Sequence, residues 1–215
     1  MPISMETHNE PQLKLSDLPY LCPYYPRPQI LTATFVQWMI QHFSSINNLE
    51  QTPLRNKIYD KIIRESGILI TTDTAFEPEK LEKRPAIVVK RNAWRGLRLG
   101  IGNRMMGAVE PDGNEYFSKL WQGSHTLFCL GGEGAEAEIL ASEVAREVNG
   151  FSEVVRKAVD LHRLEVLDLG PSAKLEEASE NYVIPVTVAY AWQDRWGVTE
   201  PNAPLINKLD LSAPF

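Results

Sequence analysis

Few residues in this chain have types and spacings that could do chemistry. Gly131, Gly132 and Gly134 surround Glu133 between an alternating apolar run and a helical one, the place where phosphate-cradling loops occur. The neighbours argue for a plain turn instead. Glu133, Glu136 and Glu138 crowd the start of the helix, where they already answer its dipole and would repel a phosphate, and no Lys-Ser or Lys-Thr pair follows. His125 and Cys129 fall on one face of a strand with Leu127 between them. Four strand residues span about 13 Å, too far for an imidazole to activate a thiol, so they read as a core cysteine near a histidine at a strand edge. His8, His42 and His162 have no carboxylate at ligand spacing, and no metal site is expected. Lys90, Arg91, Arg95, Arg98 and Arg104 form the basic cluster that could meet a polyanion; on a two-stranded ribbon such charges make a solvated or interface face. With no nucleophile elbow, zinc motif or paired-carboxylate signature, the expectation is a protein without catalytic residues or cofactor.

The elements that must carry these residues are legible in the periodicity. Residues 124–130 alternate, with Leu127 and Cys129 on one side and Thr126, Phe128 and Leu130 on the other. From residue 134 to 148, Ala137, Leu140, Ala141, Val144, Ala145 and Val148 recur three and four apart, while Glu136, Glu138, Glu143, Arg146 and Glu147 take the other face. Asn149-Gly150 suits a left-handed C-cap, which predicts a stop there and a second helix over 151–161 with Phe151, Val154, Val155 and Ala158 inward. Strands are predicted at 164–169 and 182–192, the latter with Ile184, Val186, Val188, Tyr190 and Trp192 on one face.

Upstream, residues 1–28 read as an extended arm, polar at first but carrying Leu18, Tyr20, Leu21, Tyr24 and Tyr25, so it should lie on its own domain or a neighbour. Residues 29–83 hold a helical pair and linker: one helix over 29–43, and another opened by Thr52-Pro53 and running to Glu65. A short strand is expected at 68–72. The core domain covers 84–196, with strands at 84–92 and 97–101 paired across a turn at 93–96. A glycine-rich hairpin excursion at 102–114 carries Met105 and Met106, a strand resumes at 116–121, and a bulge falls at Gly123. Residues 197–215 read as an extended apolar tail with Leu205, Ile206, Leu209 and Leu211. The fold class is therefore α+β: a mixed, largely antiparallel sheet with one main helix across a face, plus the N-terminal helical pair.

At 215 residues and 43% hydrophobic, the chain can bury one good core. No apolar run approaches a bilayer span and the start lacks the apolar stretch of a signal peptide, which predicts synthesis in the cytoplasm and no membrane. Cys22 and Cys129 are expected to stay free thiols. The charge of -6 is spread along the chain and argues against a general nucleic-acid-binding surface.

The order of elements resembles that of the tail terminator (tail completion) proteins of tailed bacteriophages. The resemblance covers about half the chain. It rests on a strand with Arg84-Pro85-Ala86-Ile87-Val88-Val89, the run Ser124-His125-Thr126-Leu127-Phe128 entering a glutamate- and alanine-rich helix, a second helix, a strand ending in Leu169-Gly170-Pro171, and the closing strand 182–192. It implies a virion subunit forming a ring, commonly a hexamer, that caps the tail tube and meets the tube and head-tail connector proteins. DNA would pass through the lumen without specific binding, helped by like charge. The N-terminal helices and C-terminal tail exceed the smallest members of that type, which leaves a head-closure or connector neck subunit as an alternative. A small cytosolic enzyme whose site is built from scattered residues is the alternative of another class. The adhesive residues expected at the assembly interface are Arg104, Met105, Met106, Tyr24, Tyr25, Leu205, Ile206 and Leu209.

Overall fold

The computed structural model describes residues 28–59, 67–76, 85–97, 105–109, 115–175 and 181–198. Helix α1 (Pro28–Phe43) starts on proline, which lacks only an N–H that the first turn cannot use. Strands β1 (Leu69–Thr72), β2 (Ala86–Arg91), β3 (Arg95–Gly96), β4 (Met105–Val109) and β5 (Glu115–Gly131) follow, then helix α2 (Gly134–Ala158) and strands β6 (Arg163–Leu169), β7 (Ala173–Lys174) and β8 (Tyr182–Val198). The described strands form one sheet in the order β1-β2-β5-β8-β6, with β3 and β4 also on β5 and β7 on β8. Only β1 and β2 run parallel; the rest is antiparallel, so the expected mixed α+β architecture holds. Among the described residues no helix is long and apolar enough to cross a membrane.

The spine is the β5–β8 pair, registered without a break from Glu115↔Val198 to Gly131↔Tyr182. Alternation sends His125, Leu127 and Cys129 to the face under the helices, with Ile184, Val186, Val188 and Tyr190 from β8. Leu31, Phe35, Met39 and Phe43 of α1 and Leu140, Ala141, Val144 and Val148 of α2 complete that core. The opposite face buries a smaller cluster, Ala86, Val88 and Leu130, with Phe128 and Val183 packed against it.

The structure departs from the sequence reading in several places. Helix α2 runs through Asn149-Gly150 instead of stopping there. A helical glycine costs only about 1 kcal/mol against alanine, and Val155 beyond it still packs on the core. The left-handed residue comes later, at Asp160, φ 52°. Phe151 and Val154, expected inward, are exposed. In place of the first turns of the expected second N-terminal helix stands a 3-10 turn, Thr52–Asn56, whose cap position is Gln51 and not Thr52. The chain is then drawn into the sheet region by the Tyr59 amide donating to Phe43 and by a parallel bridge to Ile68; residues 60–66 lie outside the described residues.

Strands β2 and β3 do not pair with each other across a turn; both lie on β5 and run the same way. Arg91 and Arg95 are four residues apart while their partners His125 and Gln122 are three apart, so the extra residue sits in this strand and Gly123 is in regular register with Tyr190. Gly123 is there for space: a Cβ would come 2.5 Å from Trp94 Cδ1. The expected strand 97–101 contributes Leu97, whose amide donates to Leu120, and its other residues lie outside the described ones. Inside the expected glycine-rich excursion, Met105–Val109 is a strand on β5 with a register shift between Met106 and Ala108.

Candidate functional site

His125 is not at a strand edge. It lies on the central strand, fully buried beneath α1, with both ring nitrogens engaged: Tyr190 Oη stands 2.8 Å from Nδ1 and Thr32 Oγ1 2.8 Å from Nε2. Trp94 Nε1–H already donates to the Tyr190 oxygen at 2.9 Å, and the carbonyl of Ser124 is 3.5 Å away. The phenol hydrogen therefore goes to Nδ1, and the ring carries its own proton on Nε2, donating to Thr32. Burial, and secondarily the charge of Arg91 next to it, push the imidazole down to about 4. Burial also pushes the Tyr190 phenol up. The chain Trp94–Tyr190–His125–Thr32 is thus a neutral relay of hydrogen bonds inside an aromatic cluster, with Phe35 4.9 Å from the imidazole ring. Cys129 lies two strand steps further on the same face, fully buried, and burial pushes its thiol up, away from the thiolate that nucleophilic chemistry needs.

A second buried histidine was missed by the sequence. His42, in the last turn of α1, has Nε2 3.1 Å from Glu143 Oε1 and Nδ1 2.9 Å from Glu147 Oε2. Both ring nitrogens are thus within hydrogen-bonding distance of a carboxylate oxygen of α2. Trp38 Nε1–H donates to the other oxygen of Glu147 at 2.9 Å. Glu143 Oε1 accepts from Arg146 Nη2 at 2.6 Å and from the Glu50 amide at 3.3 Å, while Arg146 Nε reaches Glu50 Oε2 at 3.0 Å. Burial alone would raise the Glu143 carboxyl. The hydrogen bonds from Arg146 and the Glu50 amide, the Arg146 charge and the His42 bond together outweigh it and hold the group below the usual carboxylate range. The sequence reading put Glu143 and Glu147 on the solvent face of α2, yet both are buried. The available signal was their mutual spacing of four and their flanking of Leu140, Val144 and Val148, which places them on the rim of the apolar stripe.

The glycine-rich turn behaves as expected of a turn. Glu136 Oε2 accepts from the Gly132 amide at 3.0 Å, and Glu136 Oε1 pairs with Lys57, so the first turn of α2 is answered from within the chain. Among the described residues no group of His, Cys, Asp or Glu could hold a metal ion. Of the basic cluster, Lys90, Arg91 and Arg95 are exposed along β2 and β3, and Arg98 and Arg104 lie outside the described residues.

The expected assembly residues divide likewise. Met105 and Met106 open β4, registered with Ser118 and Phe117. Arg104, Tyr24, Tyr25, Leu205, Ile206 and Leu209 lie outside the described residues. What the sequence did not disclose is the shape that β4 belongs to. The aromatic residues Trp94, Trp121 and Trp192 close the end of the helix-covered core, with Trp94 and Trp192 rings 4.0 Å apart and Trp121 stacked on Trp192 at 6.2 Å. Beyond them the β5–β8 ladder continues from Leu120↔Gln193 to Glu115↔Val198, with β4 alongside β5. Strand β6 pairs with β8 only as far as Ala191. Among the described strands, then, β4 and, after Ala191, β8 are the outer strands of this three-stranded ribbon. An edge of this kind is a template for another chain's strand.

A comparison with protein-family models finds no match for the chain, and a comparison with curated proteins finds none either.

Proposed function

We propose that the chain is a structural subunit of a tailed-phage virion, the tail terminator, which closes into a ring on the tail tube and joins it to the neck. The observation that supports this reading is the β4-β5-β8 ribbon, whose outer described strands are β4 on one side and β8 on the other. Two different edges on one subunit suit a head-to-tail contact, in which each copy offers β8 to the β4 of the next, and such contacts make a ring when the rotation between copies closes. Strands β4 and β8 both run antiparallel to β5, so copies related by rotation about an axis along the ribbon would meet with parallel strands.

The proposed partners are other copies of the chain, commonly six, with the tube protein on one side and connector proteins on the other. Met105 and Met106 belong to the contributing edge, and Arg104, Leu205, Ile206 and Leu209 are proposed to extend the same contact. DNA traverses the lumen unbound, repelled by the summed negative charge of the subunits. Support against an enzyme comes from the two residues best placed to do chemistry, since His125 has both nitrogens committed and Cys129 is held as a buried thiol.

Light scattering and negative-stain electron microscopy of the full chain, alone and with purified tail tubes, test the proposal. Closed rings, free or at tube ends, are expected. A chain that stays monomeric in both settings overturns it. Deleting Met105 and Met106 should abolish rings while the far-UV circular dichroism of the core is retained.

A further inference from the structure

The exposed positions of helix α1 are Gln29, Ala33, Gln37 and Gln41. Leu31, Phe35, Met39 and Phe43 face the core, while Ile30 and Trp38 are half-buried at its margin with the exposed Ala33 between them. Against this outer side runs the second half of α2, where Phe151 is 51% exposed and Val154 63%. Between the two helices lies a groove of about 1010 Å³, lined along α1 from Ile30 to Gln41 and along α2 from Arg146 to Val155. Its floor is the buried His42–Glu147–Trp38 group, and Gln37, Gln41 and Asn48 offer amides along its length.

The occupant is indicated by chain connectivity. The described chain begins at Pro28, two residues before Ile30 at the groove's mouth, and is preceded by 27 residues whose last ten carry Leu18, Tyr20, Leu21, Tyr24 and Tyr25. From Ile30 to Gln41 the helix rises about 16 Å, which five or six extended residues cover. Pro26 and Pro28 flank the junction, where proline favours a reversal of direction. The other apolar segment, the tail, is less well placed. It leaves β8 at Val198, eight strand residues or about 26 Å past Tyr190, the level at which α1 meets the sheet.

We propose that the groove between α1 and the second half of α2 is the seat of the same chain's N-terminal arm, with residues 18–25 laid back along α1 over Trp38, Phe151 and Val154. Tethering through two residues gives the arm an effective concentration in the millimolar range, which no second copy or outside partner matches in dilute solution. Tyrosines suit the site because their rings can cover Phe151 and Val154 while their hydroxyls reach Gln37, Gln41 or Asn48.

The arm already holds a reporter thiol, Cys22, and the only other cysteine, Cys129, is buried. In the full-length Val154→Cys variant, a short bismaleimide should link Cys22 to residue 154 within one chain, at a yield independent of protein concentration, read by mass spectrometry of the digested product. A link found only between copies, rising with concentration, overturns the proposal. So does the absence of any link when both thiols react singly with maleimide. A second measurement does not depend on linker geometry. In the Leu21→Asp, Tyr24→Asp chain, with circular dichroism unchanged, amide exchange at residues 146–155 should quicken about tenfold. Unchanged exchange there would rule the arm out as the cover.

Discussion

His125 lies under α1 against Thr32 and His42 belongs to the last turn of the same helix, about three turns further on, and the two tolerate burial by opposite means. His125 is surrounded by hydroxyls and aromatic rings and stays neutral, with one nitrogen accepting and the other donating. His42 is gripped by two carboxylates from α2, themselves backed by Arg146, Trp38 and the Glu50 amide. The difference teaches that a buried imidazole can be satisfied either by neutral partners or by carboxylates. A ring among neutral acceptors and donors avoids the cost of an unpaired interior charge, whereas a ring between carboxylates repays that cost only while every member is present.

The comparison breaks most visibly at His42. Replacing it by alanine leaves Glu143 and Glu147 facing each other in the interior, and His42→Ala should lose about 3–5 kcal/mol in urea unfolding at pH 7. A loss under 1 kcal/mol would mean that the carboxylates are satisfied without it.

Acid separates the two sites. Between about pH 6.5 and 4 the unfolded His125 ring takes up a proton that the folded ring refuses, so stability falls as pH falls through that window, by up to about 3 kcal/mol. Glu143 acts lower. Its folded carboxyl is held below the ordinary 4.5, so its contribution is complete above that value and disappears as the pH drops beneath it. Urea midpoints measured from pH 7 to 4 should therefore be flatter in His125→Gln than in the parent above pH 4.5, and similarly steep below. Equal slopes above 4.5 would assign the loss elsewhere.

Smaller changes sharpen the distinction. Thr32→Val keeps the shape but leaves the Nε2 hydrogen of His125 without its acceptor, at a cost of about 2 kcal/mol. Trp38→Phe removes the indole donor from Glu147, whose other oxygen keeps His42 beside it, and should cost about 1 kcal/mol. Reversal of that order in thermal or urea unfolding would show the neutral site to be the more forgiving one.

Little of this pairing could be read from residue order, for a physical reason. The strand around Leu127 and the stripe Leu140, Val144 and Val148 were legible because local periodicity alone sets which face is buried. His42 meets Glu143 across a separation of about a hundred residues, and no local pattern encodes which polar residues on the rims of two helices will face each other. Asn149-Gly150 misled for the related reason that a weak local stop signal is overridden when the helix gains by packing Val155. Met105 and Met106 looked like loop because their strand is held by β5 and not by an apolar alternation of its own.

The unbroken β5–β8 register also has a bearing on how the chain is born. Strand β5 is central in the finished sheet, but the strand that flanks it on one side ends at Val198, after α2, β6 and β7 have all been made. At about 5–20 residues per second, a ribosome needs several seconds to travel from Gly131 to Val198. Through that interval β5 can pair only with what precedes it, β2 to β4, and its other edge stays open. Closing the sheet is then a long-range, late event, which places this chain among slow folders and makes the nascent β5 edge the natural target of a chaperone.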